Sequence, residues 1–567
     1  AMKTIGYFEE ALGRRAMWAR HLAEHEGKLY SVFVPRLRIY PHALRTANAY
    51  YSPAKKALLF GYFRADSRET DVTAPGTVVF TCLSSDIIAH ETAHALLDGL
   101  NRGYQEASNP DVPAFHEAFS DIVALFQHFT IQELVRFAID ESRGDLGSSY
   151  LLAGLARQFG EGTNIGGALR NYVSADTDRL RYADKGIAAH TRGAILVRAI
   201  YDAFIAIVRK RSVDLMRIAT GGSGKLSEGA LQPALVERLT MEATKTARHF
   251  LRICIRALDY CPCVDITFGD YLRALITADV DSVPDDPHGY RVAIMQSFRR
   301  RGIIPRDVLT MSTEALLWNV PAEVSADGSG ERPDQPSWLR AFMQEADFGL
   351  DRRSTRLEDF KREQRNCRRL TKALHTFFRT MDADECKAAM RDFGLLPNIP
   401  LFDQKGVEKR AAPAGSTTFE VRSVRVSRRP TSDGRGKTDV IVVIQQRRRI
   451  PEKNAPGGSM WFRGGATLII QQDLSPGAPA QPFAEASPDE NDEHSDETPP
   501  IDKGRTWRIR YVVSKFSGST RREETARNTV AFAGTSLRSL YFGDTTDEPF
   551  AMLHADAYIH GHGDDHA

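Results

Sequence analysis

Apolar residues recur every three to four positions through the middle of the chain and every two positions near its C-terminus. The opening "AMKTIGYFEEALGRRAMWARH" has the spacing of an amphipathic helix. Strand-like runs follow: "KLYSVFVPRLRIYP", then "ANAYYSPAKKALLFGYF", then "GTVVFTCL", with Pro53 and the adjacent lysines reading as a hairpin connection. Helical periodicity then covers 86–100, 114–129, 191–209, 233–258 and 268–278, and residues 306–410 remain helix-rich but more charged. From about 415 the runs "TFEVRSVRVSRR", "TDVIVVIQQRRR", "GATLIIQQDL" and "TWRIRYVVSKF" alternate or are β-branched between turn residues, which predicts a small antiparallel β domain. The pattern divides the chain into an α+β lobe over 1–85, a helical lobe over 86–305 and a helix-rich linker region over 306–414. The β domain over 415–545 and a tail over 546–567 complete it.

Composition narrows the class. A chain of 567 residues exceeds one compact core, and 42% hydrophobic with 26% charged residues is ordinary for a globular protein. Lys+Arg of 75 against Asp+Glu of 73 gives no basic surplus, so no nucleic-acid partner is expected. The Pro-rich, acidic stretch 475–500, inside the β domain, is expected to build no core. The most apolar run, "GAILVRAIYDAFIAIV" (193–208), is broken by Arg198 and Asp202 and is shorter than a span of about 20 residues requires. A buried helix is expected there, with no membrane span. No apolar leader follows the first residues, and the expected location is cytoplasmic. Six cysteines form no disulfide framework, and "CPC" at 261–263 lacks a metal-pair spacing.

Candidate chemistry lies in "DIIAHETAHALLDGL" (86–100). His90 and His94, four apart, stand one turn apart on one helix face, where both imidazoles can reach one ion. Glu91 projects to the same side and can take a proton from an attacking water. Chance predicts about 0.03 such patterns in a chain of this composition, so the motif is suggestive, with ordinary buried or surface helical histidines as the alternative. The next periodic segment, "AFHEAFSDIVALF" (114–126), offers Glu117 as a third ligand, leaving a fourth position open to water. Asp121, one turn on, can accept the free ring N–H of a ligating histidine. Both acids sit among Phe115, Ala118, Phe119, Ile122 and Val123, where an unpartnered charge is costly.

These stretches resemble the thermolysin-like metallopeptidases, a gluzincin family. "DIIAHETAH" and "HEAFSD" resemble its zinc motifs, and "NAYY" (48–51), "YQE" (104–106), "GALRNY" (167–172) and "DKGIAAHTRGAIL" (184–196) follow its further motifs in order. The likeness covers about residues 30–300 and implies a two-lobed α+β fold with a largely helical zinc lobe, followed here by the β domain. It implies one catalytic zinc on His90, His94 and Glu117, with Glu91 as general base. His190, oriented by Asp184, and Tyr104 would stabilise the oxyanion. Arg170 would bind a substrate carbonyl, and Asn48 with the backbone of Ala49 would pair with an extended peptide. The chain departs from the pattern at His116, where relatives carry Asn, and at His128, where they carry an acidic calcium ligand. The second departure tells against a calcium site, despite Asp86.

The expected activity is thus a zinc endopeptidase acting on peptide or protein substrates. Two alternatives stay open: an exopeptidase on the same site, and a non-catalytic scaffold acting through the β domain. The arginines alternating in "RSVRVSRR" and "QQRRRI" read as a solvated sheet face, and residues 415–545 could also carry a protein partner. The tail "HADAYIHGHGDDHA" (554–567), with four histidines and three aspartates, reads as flexible, or as a weak metal site.

Overall fold

The computed structural model describes residues 1–25, 28–65, 74, 76–146, 154–155, 170–171, 178–184, 188–224, 226, 229–306, 308–319, 336–349, 354–396, 401–402, 408–409, 419–430, 436–451, 459–472, 507–516, 550 and 554. The acidic insert and the tail beyond His554 lie outside them.

Helix α1 (Met2–Leu12) is shorter than the opening periodicity predicts. It ends at Gly13, whose backbone is left-handed (φ 62°), a conformation that costs glycine little. A Cβ at Gly13 would lie 2.2 Å from the Arg428 carbonyl oxygen, so the helix stops where the chain meets a distant strand. His21, the last residue of the expected helix, instead begins β1 (His21–His25), paired with β2 (Lys28–Val32). The expected hairpin is present as β4 (Ala49–Ser52) and β5 (Ala57–Arg64), with β3 (Arg38–Leu44) parallel to β5 and β6 (Val78–Phe80) pairing with β5's far end. The order β3-β5-β4 leaves β4 at an edge.

That edge rests on the central helices. Helix α2 (Ser85–Leu100) starts at Ser84, whose hydroxyl accepts from Ile87 N, and every side chain from Ala89 to Asp98 is buried. Helix α3 (Asp111–His128) is buried over almost all its length. Both are core helices rather than surface helices with one apolar stripe. Helix α4 (Gln132–Glu141) packs against a later helix, Pro233–Arg256. Two-residue strands β7 (Gly154–Leu155) and β8 (Arg170–Asn171) pair with each other. Helix α5 (Ala189–Ala219) contains the run 193–208 as a buried segment, and among the described residues no single helix is long and apolar enough to cross a membrane. Helices α6 (Pro233–Arg256), α7 (Phe268–Ser282) and α8 (Tyr290–Arg300) complete this core.

The C-terminal half carries helices α9 (Ser337–Glu345), α10 (Arg356–Thr380) and α11 (Ala383–Asp392). A short pair, β9 (Leu401–Phe402) and β10 (Glu408–Lys409), precedes a four-stranded antiparallel meander. Its strands are β11 (Glu420–Pro430), β12 (Gly436–Pro451), β13 (Ser459–Gln472) and β14 (Trp507–Phe516). The period of two places Val440, Val442, Ile444, Leu468 and Ile470 in one core with Trp338, Leu370 and Phe377. Ile469, Tyr511 and Val513 enter the core of the helical lobe instead. Both sheet faces are therefore covered, and Arg425, one of the arginines that read as solvated, is bonded across the junction, while Arg422 pairs with Glu420 on its own strand and Arg447 stays exposed. Arg425 donates to the carbonyls of Leu100 (2.8 Å) and Gly99 (3.1 Å) at the C-terminus of α2, where a cation opposes the helix dipole. Buried Arg256 bridges Asp259 (3.2 Å) and Asp439 (3.1 Å). The six cysteines are free thiols, and all but Cys82 are buried.

Gly193 sets the approach of α5 to α3: a Cβ there would lie 2.9 Å from the Ala114 carbonyl oxygen and 3.4 Å from Ala118 Cβ. Gly193→Ala should therefore lower the unfolding midpoint by the equivalent of about 1–3 kcal/mol, the usual cost of overpacking. An unchanged melting curve would show that the two helices can separate freely.

Candidate metal centre

Helices α2 and α3 bring His90, His94 and Glu117 together in the protein interior. His90 Nε2 lies 3.3 Å from Glu117 Oε2, and His94 Nε2 lies 3.5 Å from Glu117 Oε1. The two Nε2 atoms are 2.9 Å apart. Donors around a tetrahedral ion with bonds of about 2.0–2.1 Å are about 3.3 Å from one another, so the carboxylate spacings fit and the two rings need open only slightly.

A fourth group completes the cluster, and it comes from the C-terminal stretch whose composition predicts a flexible tail. His554 is buried, with Nε2 3.5 Å from Glu117 Oε2. The ligand atoms of His90, His94, Glu117 and His554 all fall within 4.8 Å of one another, and the four can hold a metal ion. Both Glu117 oxygens and His554 Nε2 are buried without a hydrogen-bond partner. Buried acceptors of that kind are costly unless a cation satisfies them, which is what the donor set would do for a metal.

The other nitrogen of each ring is held from outside. His90 Nδ1 lies 2.8 Å from Asp121 Oδ1. His94 Nδ1 meets His116 Nδ1 at 2.7 Å and Ser120 Oγ at 3.1 Å. His554 Nδ1 bonds the Ala49 carbonyl at 2.6 Å. Such bonds fix the tautomer and turn Nε2 to the centre. His116, read only as a departure from the family pattern, thus supports a ligand.

Electrostatics follow from this crowding. Burial works against charge on His90, but Asp121, with Glu117 and Glu91, outweighs it and raises the imidazole to about 10. Burial pulls His116 down to about 4 and His94 well below its usual value. For Glu117, burial favours the neutral acid, yet His190, His94 and His554 hold its carboxyl well below the usual range.

Glu91 sits beside the cluster. It is 2% exposed, and burial raises its carboxyl, against the pull of His554 and His90. Its Oε2 accepts from Tyr51 N at 2.8 Å, while the Tyr51 hydroxyl and Lys56 Nζ reach Asp98 Oδ2 at 2.7 and 3.1 Å. Strand β4 is thereby pinned along α2. The Asn48 carbonyl accepts from Gly61 N in β5, so by alternation Ala49 and Tyr51 turn their backbone groups to the cluster.

The remaining expected residues divide. His190 joins the cluster, with Nδ1 3.2 Å from Glu117 Oε2. Tyr104 does not join it: its hydroxyl donates to the Pro262 carbonyl at 2.8 Å, and its ring packs edge-on against Phe115. The 3% exposed tyrosine is a core residue because a backbone acceptor inside the core satisfies its hydroxyl. Asp184 is exposed and accepts from Arg181 N at 2.9 Å, capping a local turn rather than orienting His190. Arg170 lies on β8, with its side chain outside the described residues. Asp86 pairs with His128, the two positions compared with a calcium site.

Set against protein-family models, curated proteins and solved structures, the chain matches none.

Metal uptake should release protons, because His90 must lose the proton that its neighbours hold up to about 10. Calorimetric zinc titrations near pH 7, in buffers of different ionisation enthalpy, should report about one proton or more released per metal, with affinity rising as pH rises. Asp121→Asn should weaken binding about 10–100-fold. Proton-neutral uptake, or an unaffected variant, would contradict this geometry.

Proposed function

We propose that the chain is a zinc-dependent endopeptidase of the thermolysin-like type. The observation that carries the reading is the position of Glu91, between the His90–His94–Glu117 set and the inward backbone of edge strand β4. The donor set of imidazoles and one carboxylate suits zinc, whereas calcium prefers oxygen ligands throughout. A zinc ion held there would polarise the scissile carbonyl and acidify the attacking water.

The residues supply the rest. An extended peptide adds to β4 through the backbone at Ala49, which sets its scissile bond over the cluster. Glu91, raised by burial, takes the proton from water as the water oxygen bonds to the carbonyl carbon, and then passes that proton to the departing amine. His190 donates a hydrogen bond to the carbonyl oxygen as it gains charge. Tyr104 has no part in this, since its hydroxyl is committed to Pro262. Asp121 and His116 position the ligating rings. An open-ended edge strand suits internal cleavage, and peptides blocked at both ends should be substrates.

The test compares the wild type with Glu91→Gln, both loaded with one zinc, on an unfolded protein with blocked termini. The variant should bind zinc with the same stoichiometry and cleave at least about 100-fold more slowly, the scale of general-base catalysis. Equal rates in the two would remove Glu91 as the base.

A further inference from the structure

The fourth member of the cluster changes what the site can do. Catalytic zinc sites keep one position for water, whereas sites closed by four protein ligands are structural. His554 supplies that fourth donor, and it arrives by the same device as His90 and His94: Nδ1 held by an outside acceptor, Nε2 turned to the centre. Its outside acceptor is the Ala49 carbonyl, on the backbone that an added substrate strand would use. Its Nδ1 also lies 3.5 Å from Glu91 Oε1, in the space where the base would meet water.

Phe550, four residues earlier, fills the adjoining space. It is 1% exposed, and its ring centroid lies 4.5 Å from His94, 4.9 Å from His116 and 6.0 Å from Tyr51. Both residues have helical backbone, and both side chains are buried against the cluster. One side chain thus takes the fourth ligand position and the other joins the apolar cluster beside the substrate edge, the contacts expected of a bound peptide.

We infer that His554 is the fourth metal ligand of the resting protein and that the Phe550–His554 pair is an intramolecular occupant of the substrate cleft, which must leave before the site can act. The ligand assignment stands on geometry alone; its consequence for cleavage rests on the peptidase reading.

Full-length wild type, His554→Ala and Phe550→Ala, each loaded with one equivalent of cobalt(II) as a spectroscopic substitute for zinc, would be titrated with acetohydroxamate. Each zinc-loaded form would then be assayed on the blocked unfolded protein. The wild type should show a visible spectrum insensitive to the probe. His554→Ala should show an altered spectrum and should bind the probe at least about tenfold more tightly, the factor by which a 90% closed population lowers apparent affinity. Phe550→Ala keeps every ligand and should shift the same quantities partway, so the inference does not depend on one variant folding. Far-ultraviolet circular dichroism establishes that each variant is folded. A folded His554→Ala with the wild-type spectrum and probe affinity would overturn the inference. Tighter probe binding without any cleavage would uphold the occupant and sink the peptidase reading. Equal cleavage by wild type and His554→Ala, with unchanged spectra, would overturn the occupant and leave the peptidase standing.

Discussion

A carboxylate buried among imidazoles is the constraint on which the rest of the molecule depends. Glu117 is fully buried in α3, and its oxygens face His90, His94, His190 and His554 without a hydrogen-bond donor of their own. An unneutralised charge at that depth costs several kcal/mol, so the surrounding helices make sense only if positive charge collects there. Each neighbouring element meets that demand: α2 brings two histidines one turn apart, α5 brings His190, and the C-terminal segment brings His554.

The packing that delivers these groups is itself specific. Gly193 lets α5 close on α3, and His190 lies one turn before it. Tyr51 ties β4 to α2 twice, by backbone to Glu91 and by hydroxyl to Asp98. The far end of α2 is capped by Arg425 from the C-terminal sheet, and Arg256 joins Asp259 to Asp439 across the same junction. The sheet is therefore part of what holds helix α2, rather than an appended module.

Much of this was legible in the chain. Residues four apart on a helix must share a face, so His90 with His94, and Glu117 with Asp121, could be read directly from spacing. The hairpin of β4 and β5 and the four late strands were legible because period two and turn residues coincide there. Other features depend on contacts between distant segments, which periodicity does not encode. His554 lies 437 positions after Glu117 (554 − 117) and reads as one histidine among four in a polar tail. Tyr104 matched a motif, yet a carbonyl at Pro262 took its hydroxyl. The alternating arginines of β11 suggested water on one face, but both faces are covered, and the guanidinium groups found carbonyls and carboxylates instead. Helix α1 stops at Gly13, whose left-handed backbone and missing Cβ let it lie against Arg428, a contact between distant segments.

A metal ion held by this buried set of imidazoles and a carboxylate has a distinctive surrounding, which X-ray absorption at the zinc edge of protein loaded with one equivalent would read. Nitrogen and oxygen neighbours are expected at about 2.0–2.1 Å, with the outer-shell scattering of three imidazoles and no sulfur. A sulfur neighbour near about 2.3 Å would place the metal on the cysteines instead, and would contradict that expectation.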